Sequence, residues 1–272
     1  MPLLASLPMY DHEAIETDTD QWWQVISNEL RNRGVAAPEK LTRSNDSRLI
    51  WRDPNLLLTQ CCGYDLMVNG YDNLEPILTP IYGFEDCEGG NYCSYIVVAR
   101  DGKIRSAAAL KGKLLAINGY RSHSGYNALR EYMALNLGVG AHEQSLVVSG
   151  SHYNSMKMTA EGEAAAAAVD CVTYGIVASY APELVSKLLV LGKSPFHSVL
   201  PYAVPKTMDD KLKTSLLSAL KAALEKPEYH GIRDRLGIRS FILKNTSDYL
   251  SIKVAEQELR DVMPDFLQEP GR

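Results

Sequence analysis

The stretch LLAINGYRSHSGYNALREYMALNLG, residues 114–138, decides how this chain folds. It opens with an apolar run at 114–117 that is long enough for a buried strand, and the small polar residues at 118–125 cannot continue that strand. From Tyr126, apolar residues recur at helical spacing until Gly138, which supplies a helix stop. The stretch therefore predicts a strand, a Ser/Gly loop and a helix in succession.

The loop places two serines at the start of the predicted helix. Ser122 and Ser124 stand where the first backbone N–H groups of a helix have no acceptor within it. A helix N-terminus also carries about half a positive charge, so it attracts anions. A capped helix without any ligand has the same sequence pattern, so one such loop does not by itself identify a binding site.

The same pattern recurs directly downstream. A short apolar run at 146–148 precedes a second Ser/Gly loop, SGSHYNS at 149–155, and a short helix that stops at Gly162. Residues 164–169 then predict a third buried strand, with Asp170 at its carboxyl end. Ligands of open α/β sheets bind outside the carboxyl ends of the strands. Two serine-lined helix starts and one carboxylate therefore predict a small polar binding cleft.

Composition and charge exclude several classes of function. The 272 residues are 46% hydrophobic and 22% charged, which is typical of a globular protein with a large core. The net charge is −5 and no run is basic, so we expect no nucleic-acid partner. No apolar stretch reaches the length of about 20 residues that spans a bilayer, so we expect no membrane insertion. The start, MPLLASLPMYDHE, has no basic region ahead of its short apolar run. We therefore expect a cytoplasmic protein, or a periplasmic one whose leader has been removed or is supplied.

The five cysteines, at positions 61, 62, 87, 93 and 171, do not indicate a disulfide framework, because their number is odd and their spacing irregular. Cys87 and Cys93 could bridge the turn between them in an oxidising compartment. Cys61 and Cys62 are interpreted as core residues, because cysteine is among the most often buried residue types.

The order of predicted elements indicates two α/β lobes. Strand–turn–helix units occur in the N-terminal part, a second set follows, and a strand then returns the chain to C-terminal helices. Residues 1–98 and 199–272 would form lobe 1, and residues 99–198 would form lobe 2. We expect each lobe to be a mixed, mostly parallel sheet flanked by helices. A hinge at 97–101 and 196–200 would leave a ligand cleft between the lobes.

Two segments resemble the phosphate/phosphonate-type solute-binding proteins of ABC transporters, which have the type-II periplasmic-binding-protein fold. The segment NGYRSHSGYNALR at 118–130 is similar to the Ser-x-Ser-Gly helix start of that family. The segment SGSHYNSMKMTAEGEAAAAAVD at 149–170 is similar to its Gly-Ser-His helix start, which leads into an Ala-Val-Asp strand. The resemblance extends loosely from Leu3 through the C-terminal helices. It implies a protein that captures a small anionic ligand for a transporter permease, with no cofactor and no catalysis.

The resemblance also implies which residues would bind the ligand. Hydroxyl and backbone donors to the anionic group would come from the matching positions Ser122, Ser124, Gly125, Tyr126, Ser151 and His152. Asp170 would face the opposite end of the ligand, where an amine or hydroxyl group would lie. Binding by backbone amides instead of Lys or Arg favours a desolvated, directional site for a phosphate-like group.

Three residues of the N-terminal part are assigned to the same site on their strand-end positions alone. Tyr10 follows the first predicted strand, and Gln60 and Tyr64 follow the strand at 56–58. The segment TQCCGY around Gln60 does not match a phosphate-specific arrangement. The ligand could therefore instead be an aminated organic anion or a thiamine-pathway pyrimidine.

Two further functions of the same fold stay open at this point. An enzyme family that makes the thiamine pyrimidine depends on a histidine and a cysteine cluster, but its clustered cysteine motif is absent here. A ligand-sensing domain would bind a solute without any transporter. His123, His152 and His197 show neither HxxxH nor HxH spacing, so we predict no metal site. No G-x-S-x-G motif indicates a serine nucleophile.

Overall fold

The computed structural model describes residues 2–44, 46–138 and 145–262, and within it the chain separates into two compact units. Unit 1 takes the described residues of Met1–Gly83, Glu88–Gly90 and Ser198–Tyr249. Unit 2 takes those of Phe84–Cys87, Asn91–His197 and Leu250–Arg272. Each unit has its own five-stranded sheet with helices around it, so the α/β class predicted from the sequence is confirmed.

A mixed sheet forms the centre of unit 1. Its strands are, in spatial order, β1 (Leu4–Ser6), β2 (Leu56–Gln60), β11 (Tyr202–Pro205), β3 (Leu74–Tyr82) and β12 (Ile238–Ile242). β1 and β2 are parallel, whereas the other neighbouring pairs are antiparallel. The sheet is therefore less parallel than predicted, because the late strand β11 enters antiparallel between β2 and β3.

Among the described residues of unit 1, five α-helices accompany this sheet. They are α1 (Glu16–Arg31), α2 (Ser47–Trp51), α3 (Gly63–Met67), α8 (Asp210–Glu225) and α9 (His230–Arg235). α1 starts with the acidic residues Glu16 and Asp18, which interact favourably with the positive end of the helix dipole. Its Trp22 is buried and donates Nε1–H to Tyr202 Oη at 2.9 Å, which fastens α1 to β11.

Unit 2 is built on a second mixed sheet. Its strands are, in spatial order, β7 (Ser145–Val148), β6 (Leu114–Ile117), β8 (Ala166–Asp170), β5 (Ser94–Ala99) and β9 (Leu188–Lys193). β7, β6 and β8 are parallel to one another, and β5 is antiparallel to both β8 and β9. Because three parallel strands lie side by side, the loops that follow β6, β7 and β8 leave the sheet at the same edge.

The remaining elements of unit 2 are mostly helices. They are a π-helical turn (His123–Asn127), α4 (Ala128–Leu137), α5 (His152–Ala160), α6 (Cys171–Tyr180), α7 (Pro182–Ser186) and α10 (Leu250–Val262). Two further short strands are β4 (Asn91–Tyr92) and β10 (His197–Ser198). Every residue of β8 is buried, so its small alanine side chains let helices approach the sheet closely.

The boundaries of the units differ from those of the predicted lobes, most clearly at two elements. β5 belongs to unit 2, not to lobe 1, because it pairs with β8 and β9. α10 also belongs to unit 2, where Glu256 forms an ion pair with Arg130 of α4 at 2.9 Å. The parts of the predicted lobes at 1, 45, 139–144 and 263–272 lie outside the described residues. Within the described ranges, no helix has the length and apolar character that crossing a membrane requires.

Candidate ligand-binding site

The first predicted helix start forms as a π-helical turn capped by Ser122. The Ser122 hydroxyl accepts a hydrogen bond from the Gly125 N–H at 3.0 Å. Its carbonyl accepts from both Tyr126 N–H at 3.3 Å and Asn127 N–H at 3.2 Å, and the second of these bonds gives the turn its π character. Ser124 lies inside this first turn, where helix donors have no intrahelical acceptor.

Gly125 permits a close approach at this turn. A Cβ atom at this position would lie 1.9 Å from Asn118 Oδ1 and 3.3 Å from His152 Cε1. Asn118 is the first residue after β6, and its Oδ1 atom is buried with no hydrogen-bond partner among the described residues. Only glycine therefore lets the turn, the Asn118 amide and the His152 ring pack together as they do.

The second helix start brings His152 to the first. Ser151 caps α5 by accepting from Asn154 N–H at 3.1 Å, and His152 is the first residue of the helix. The Nδ1 atom of His152 lies 3.1 Å from the carbonyl oxygen of Ala168. Because a carbonyl oxygen can only accept, Nδ1 is assigned the proton, and Nε2 of the neutral ring is an acceptor.

Three polar side chains surround this second nitrogen. Ser124 Oγ lies 2.8 Å, Asp170 Oδ2 3.3 Å and Asn118 Nδ2 3.4 Å from His152 Nε2. Asp170 is held in turn by Thr173, whose backbone N–H donates at 2.8 Å and whose hydroxyl donates at 2.6 Å. The two helix starts and the end of β8 thus meet at one imidazole ring, which brings together the predicted residues Ser124, His152 and Asp170.

Burial controls the charge of this cluster. Desolvation lowers the pKa of His152, although the Asp170 carboxylate and the Ala168 carbonyl oppose that shift. Desolvation also raises the pKa of Asp170, although His152 and the hydrogen bonds from Thr173 oppose the shift. Both shifts favour the uncharged forms. The protonation of the cluster will therefore respond to any charge that a ligand brings.

The arrangement is not a catalytic triad. In a triad the carboxylate accepts from Nδ1 of the histidine, while the serine contacts Nε2. Here Ser124 and Asp170 both approach Nε2, and Nδ1 donates to a backbone carbonyl. The carboxylate does not orient the ring for proton abstraction from Ser124. The geometry suits hydrogen bonding to a ligand.

Three predicted ligand-binding residues, Tyr126, Ser151 and Asp170, make contacts within the protein that the sequence did not predict. The Tyr126 ring is buried in the core of unit 2, lies 5.4 Å from Tyr120 between ring centroids, and is covered by the Arg130 guanidinium. The hydroxyl of Ser151 already caps α5. Asp170 was expected at the ligand end opposite the serines, but it shares the ring nitrogen of His152 with Ser124.

Two of the three predicted residues of unit 1, Gln60 and Tyr10, contact Tyr82. Gln60, at the carboxyl end of β2, is buried and donates from Nε2 to Tyr82 Oη and to the Leu200 carbonyl, each at 3.2 Å. The Tyr10 ring packs edge-on against Tyr82 with centroids 5.3 Å apart. Tyr82 thus links Gln60 and Tyr10, whereas Tyr64 is buried in the first turn of α3.

Sequence reasoning missed three residues that contact the predicted ones. Asn118 and Tyr82 stand at the ends of strands, and this position is the signal by which they could have been found. Thr173 lies three residues after Asp170, which is the spacing of a residue that hydrogen-bonds to a helix N-cap.

The thiols also pair differently from the expectation. No disulfide joins the five cysteines, all of which are buried and lie in the described part of the chain. Cys87 Sγ lies 3.1 Å from Cys171 Sγ, whereas the sequence suggested a bridge from Cys87 to Cys93 in an oxidising compartment. Cys61 and Cys62 are core residues, as predicted.

Comparison with known proteins identifies relatives by sequence pattern and by fold. A family model described as "ABC transporter, phosphonate, periplasmic substrate-binding protein" matches residues 55–249. No curated protein sequence matches the chain. A binding protein component of an ABC phosphonate transporter from Pseudomonas aeruginosa is 17% identical with a TM-score of 0.77, covering 96% of this chain and 87% of its own.

Two further solved structures are similar over nearly their whole length. PhnD1 from Prochlorococcus marinus, in complex with methylphosphonate, is 17% identical with a TM-score of 0.75, covering 96% of this chain and 99% of its own. A Xanthomonas citri protein bound to ATP is 16% identical with a TM-score of 0.71, covering 96% and 99%. These similarities confirm the predicted type-II binding-protein fold.

The family match sets aside the enzyme among the functions that the sequence left open. It covers well over half of the chain, and the family is one of substrate-binding proteins and not of enzymes. The resemblance carried by residues 118–130 and 149–170 is thereby confirmed. The chain belongs to the family of phosphonate-type periplasmic substrate-binding proteins of ABC transporters.

Proposed function

We propose that this protein binds a small anion of the phosphonate or phosphate type through the cluster of Ser124, His152 and Asp170. The observation that carries the proposal is the meeting of two capped helix starts at the Nε2 atom of His152. Two helix N-termini supply backbone donors and positive potential, which stabilise a desolvated anion without Lys or Arg.

The anionic group would accept hydrogen bonds from the Ser124 hydroxyl and from N–H groups of the first turn. His152 would donate from Nε2 once protonated, because a bound anion favours the charged ring. Asp170, held by Thr173, lies on the same nitrogen. It favours a ligand that carries a proton donor, such as an amine or hydroxyl, near its anionic group.

Unit 1 would contribute the remaining contacts. We assign Tyr10, Gln60 and Tyr64 to the ligand on their strand-end positions, with Tyr82 supporting the first two.

The experiment is a ligand screen on the purified full chain by thermal shift, followed by titration calorimetry. The probes are methylphosphonate, 2-aminoethylphosphonate, inorganic phosphate, sulfate and a hydroxymethylpyrimidine. A ligand at one hundred times its dissociation constant stabilises the folded state by about 2.7 kcal/mol. We expect a shift with a phosphonate or phosphate, and a larger one with the aminated compound. Stabilisation by the pyrimidine alone would contradict the proposed ligand class.

Two variants test the placement of the site. Ser124→Ala removes a hydroxyl of the cluster, whereas Ser215→Ala removes a hydroxyl that bonds only to its own helix α8. The proposal requires the first to weaken binding and the second to leave it unchanged. Equal affinity for both variants would place the ligand elsewhere.

The proposal also includes a role in transport. The family description supports delivery of the ligand to an ABC transporter permease from the periplasm. Uptake of a radiolabelled phosphonate by cells with and without the gene, together with fractionation of the cells, would test both points. If the purified protein binds the ligand well but cells without the gene take it up unchanged, a sensing role is supported instead.

A further inference from the structure

Two buried histidines and a buried glutamate, all assigned to unit 2, converge outside the cluster around His152. His123 lies in the π-helical turn, Glu131 in α4 and His197 in β10. All three side chains are buried, and one ligand atom from each lies within 4.8 Å of the others. The residues are 8 and 66 positions apart in the sequence, so no spacing motif reveals them.

The contacts within this group are close. His197 Nε2 lies 3.1 Å from Glu131 Oε1 and 3.0 Å from Oε2. The rings of His123 and His197 are perpendicular, with centroids 4.3 Å apart. The Nδ1 atom of His197 is buried and has no hydrogen-bond partner among the described residues. A single hydrogen bond to the carboxylate therefore does not satisfy this imidazole.

Two imidazoles and one carboxylate are a known donor set for zinc, with the fourth position left to water or another ligand. Donors at 2.0–2.1 Å from a tetrahedral ion lie about 3.4 Å apart. The separation of Glu131 from His197 is already close to that value, and the ligand atom of His123 lies within 4.8 Å of both. A divalent ion would also neutralise the charge of a carboxylate that is 6% exposed.

We propose that His123, Glu131 and His197 form a binding site for a divalent transition-metal ion of the zinc type. None of its three side chains belongs to the cluster around His152, although His123 precedes Ser124 in the same π-helical turn. An ion there would join the π-helical turn, α4 and β10, and so stabilise unit 2.

The test measures zinc binding to the untagged full chain. The protein is stripped with a chelator, dialysed and titrated with zinc chloride, and bound metal is counted by mass spectrometry. We expect one zinc ion per chain and a higher melting temperature. Cobalt(II) serves as a spectroscopic probe, because a tetrahedral nitrogen–oxygen site gives visible absorption that a loosely bound hydrated ion lacks.

Variants assign the ligands. His197→Gln and Glu131→Gln should each weaken zinc binding more than 100-fold, because even the loss of an outer-shell partner costs about 10- to 100-fold. His230→Gln, at a half-buried histidine of α9 in unit 1, is the matched control and should retain one zinc ion.

Two results would overturn the proposal. One is a native chain that binds less than a tenth of an equivalent of zinc and shows no cobalt absorption. The other is unchanged stoichiometry in His197→Gln and Glu131→Gln when circular dichroism shows both folded. If a variant fails to fold, the cobalt spectrum of the native chain still decides, since a spectrum of a hydrated octahedral ion would exclude the site.

Discussion

Ser124 Oγ lies 2.8 Å from Nε2 of His152, 28 residues further along the chain, and this hydrogen bond joins the starts of two different helices. The bond exists because β6 and β7 are parallel neighbours, which brings the loops after them to one edge of the sheet. An anion bound at these helix starts must contact the Ser124 hydroxyl or displace it from His152.

The first prediction concerns the affinity for this anion. Ser124→Ala should weaken binding of the best phosphonate or phosphate by about 1.5–3 kcal/mol, the usual loss for a hydrogen bond to a charged group. This corresponds to a roughly 10- to 150-fold rise in Kd, measured by titration calorimetry. Ser215→Ala is the control. If Ser124→Ala raises Kd less than twofold, the Ser124 hydroxyl does not contact the anion.

The helix starts could be predicted from the sequence because their signals are local. A strand, a Ser/Gly loop and a helical apolar period follow one another within 25 residues at 114–138, and β6, Ser122 as cap and the end at Gly138 agree with that prediction. The partners of His152 could not be predicted in the same way. Asn118 lies beside the His152 ring only because of the order and register of strands β6 and β8.

The second prediction uses two helical glycines with different surroundings. Gly125→Ala would place a methyl group against the Asn118 amide and should destabilise the protein by about 1–3 kcal/mol, the usual cost of overpacking. Gly231→Ala is the control, because the nearest atom to its Cβ would be Arg235 Nη1 at 3.8 Å. Alanine there should be neutral or stabilising by up to about 1 kcal/mol.

Urea denaturation of both variants measures these effects. A loss of stability is expected in Gly125→Ala but not in Gly231→Ala. Gly125→Ala should also bind the anion more weakly, since displacement of Asn118 disturbs the His152 ring. If both glycines tolerate alanine equally well, the close packing of the turn against Asn118 is not important for stability.

The other features that the sequence did not predict depend on contacts between residues far apart in the chain. The predicted sheets were too parallel because β11 and β5 enter them antiparallel, and antiparallel and parallel strands of buried sheets have similar apolar patterns. Helix α10 was assigned to the wrong lobe because chain order gives no information about the ion pair between Glu256 and Arg130. The convergence of His123, Glu131 and His197 could not be predicted for the same reason.

The third prediction concerns stability as a function of pH. Burial lowers the pKa of His152 in the folded state below its ordinary value of 6.5. At a pH between the folded and the unfolded pKa, the unfolded chain therefore binds more protons than the folded chain. The contribution of His152 is therefore favourable above pH 6.5 and is lost as the pH falls through the folded pKa. For one group the slope cannot exceed about 1.4 kcal/mol per pH unit.

Two other groups affect this profile. The raised pKa of Asp170 acts in the opposite direction at lower pH, and the buried His123 acts in the same direction as His152. The comparison is therefore made between the native chain and His152→Asn, by urea denaturation from pH 7.5 to 5 in the presence of a chelator. The variant should lose less stability on acidification. A profile identical to that of the native chain would show that His152 is not buried in its neutral form.

The fourth prediction tests the place of α10 in unit 2. Arg130 is fully buried and donates to Glu256 Oε2 at 2.9 Å and to Asn127 Oδ1 at 2.7 Å. Glu256→Gln would leave the guanidinium buried without a counter-charge, which should cost about 3–5 kcal/mol. Arg260→Gln removes only the exposed partner of the same carboxylate and should cost less than about 1 kcal/mol.

Hydrogen exchange of α4 and α10 separates these outcomes from global unfolding. In Glu256→Gln, faster exchange should appear in both helices at once, because the ion pair holds them together. In Arg260→Gln the exchange of α4 should stay as in the native chain. If the two variants are equally stable, Arg130 finds compensation from Asn127 and the Tyr126 ring, and the ion pair does not fix α10 to unit 2.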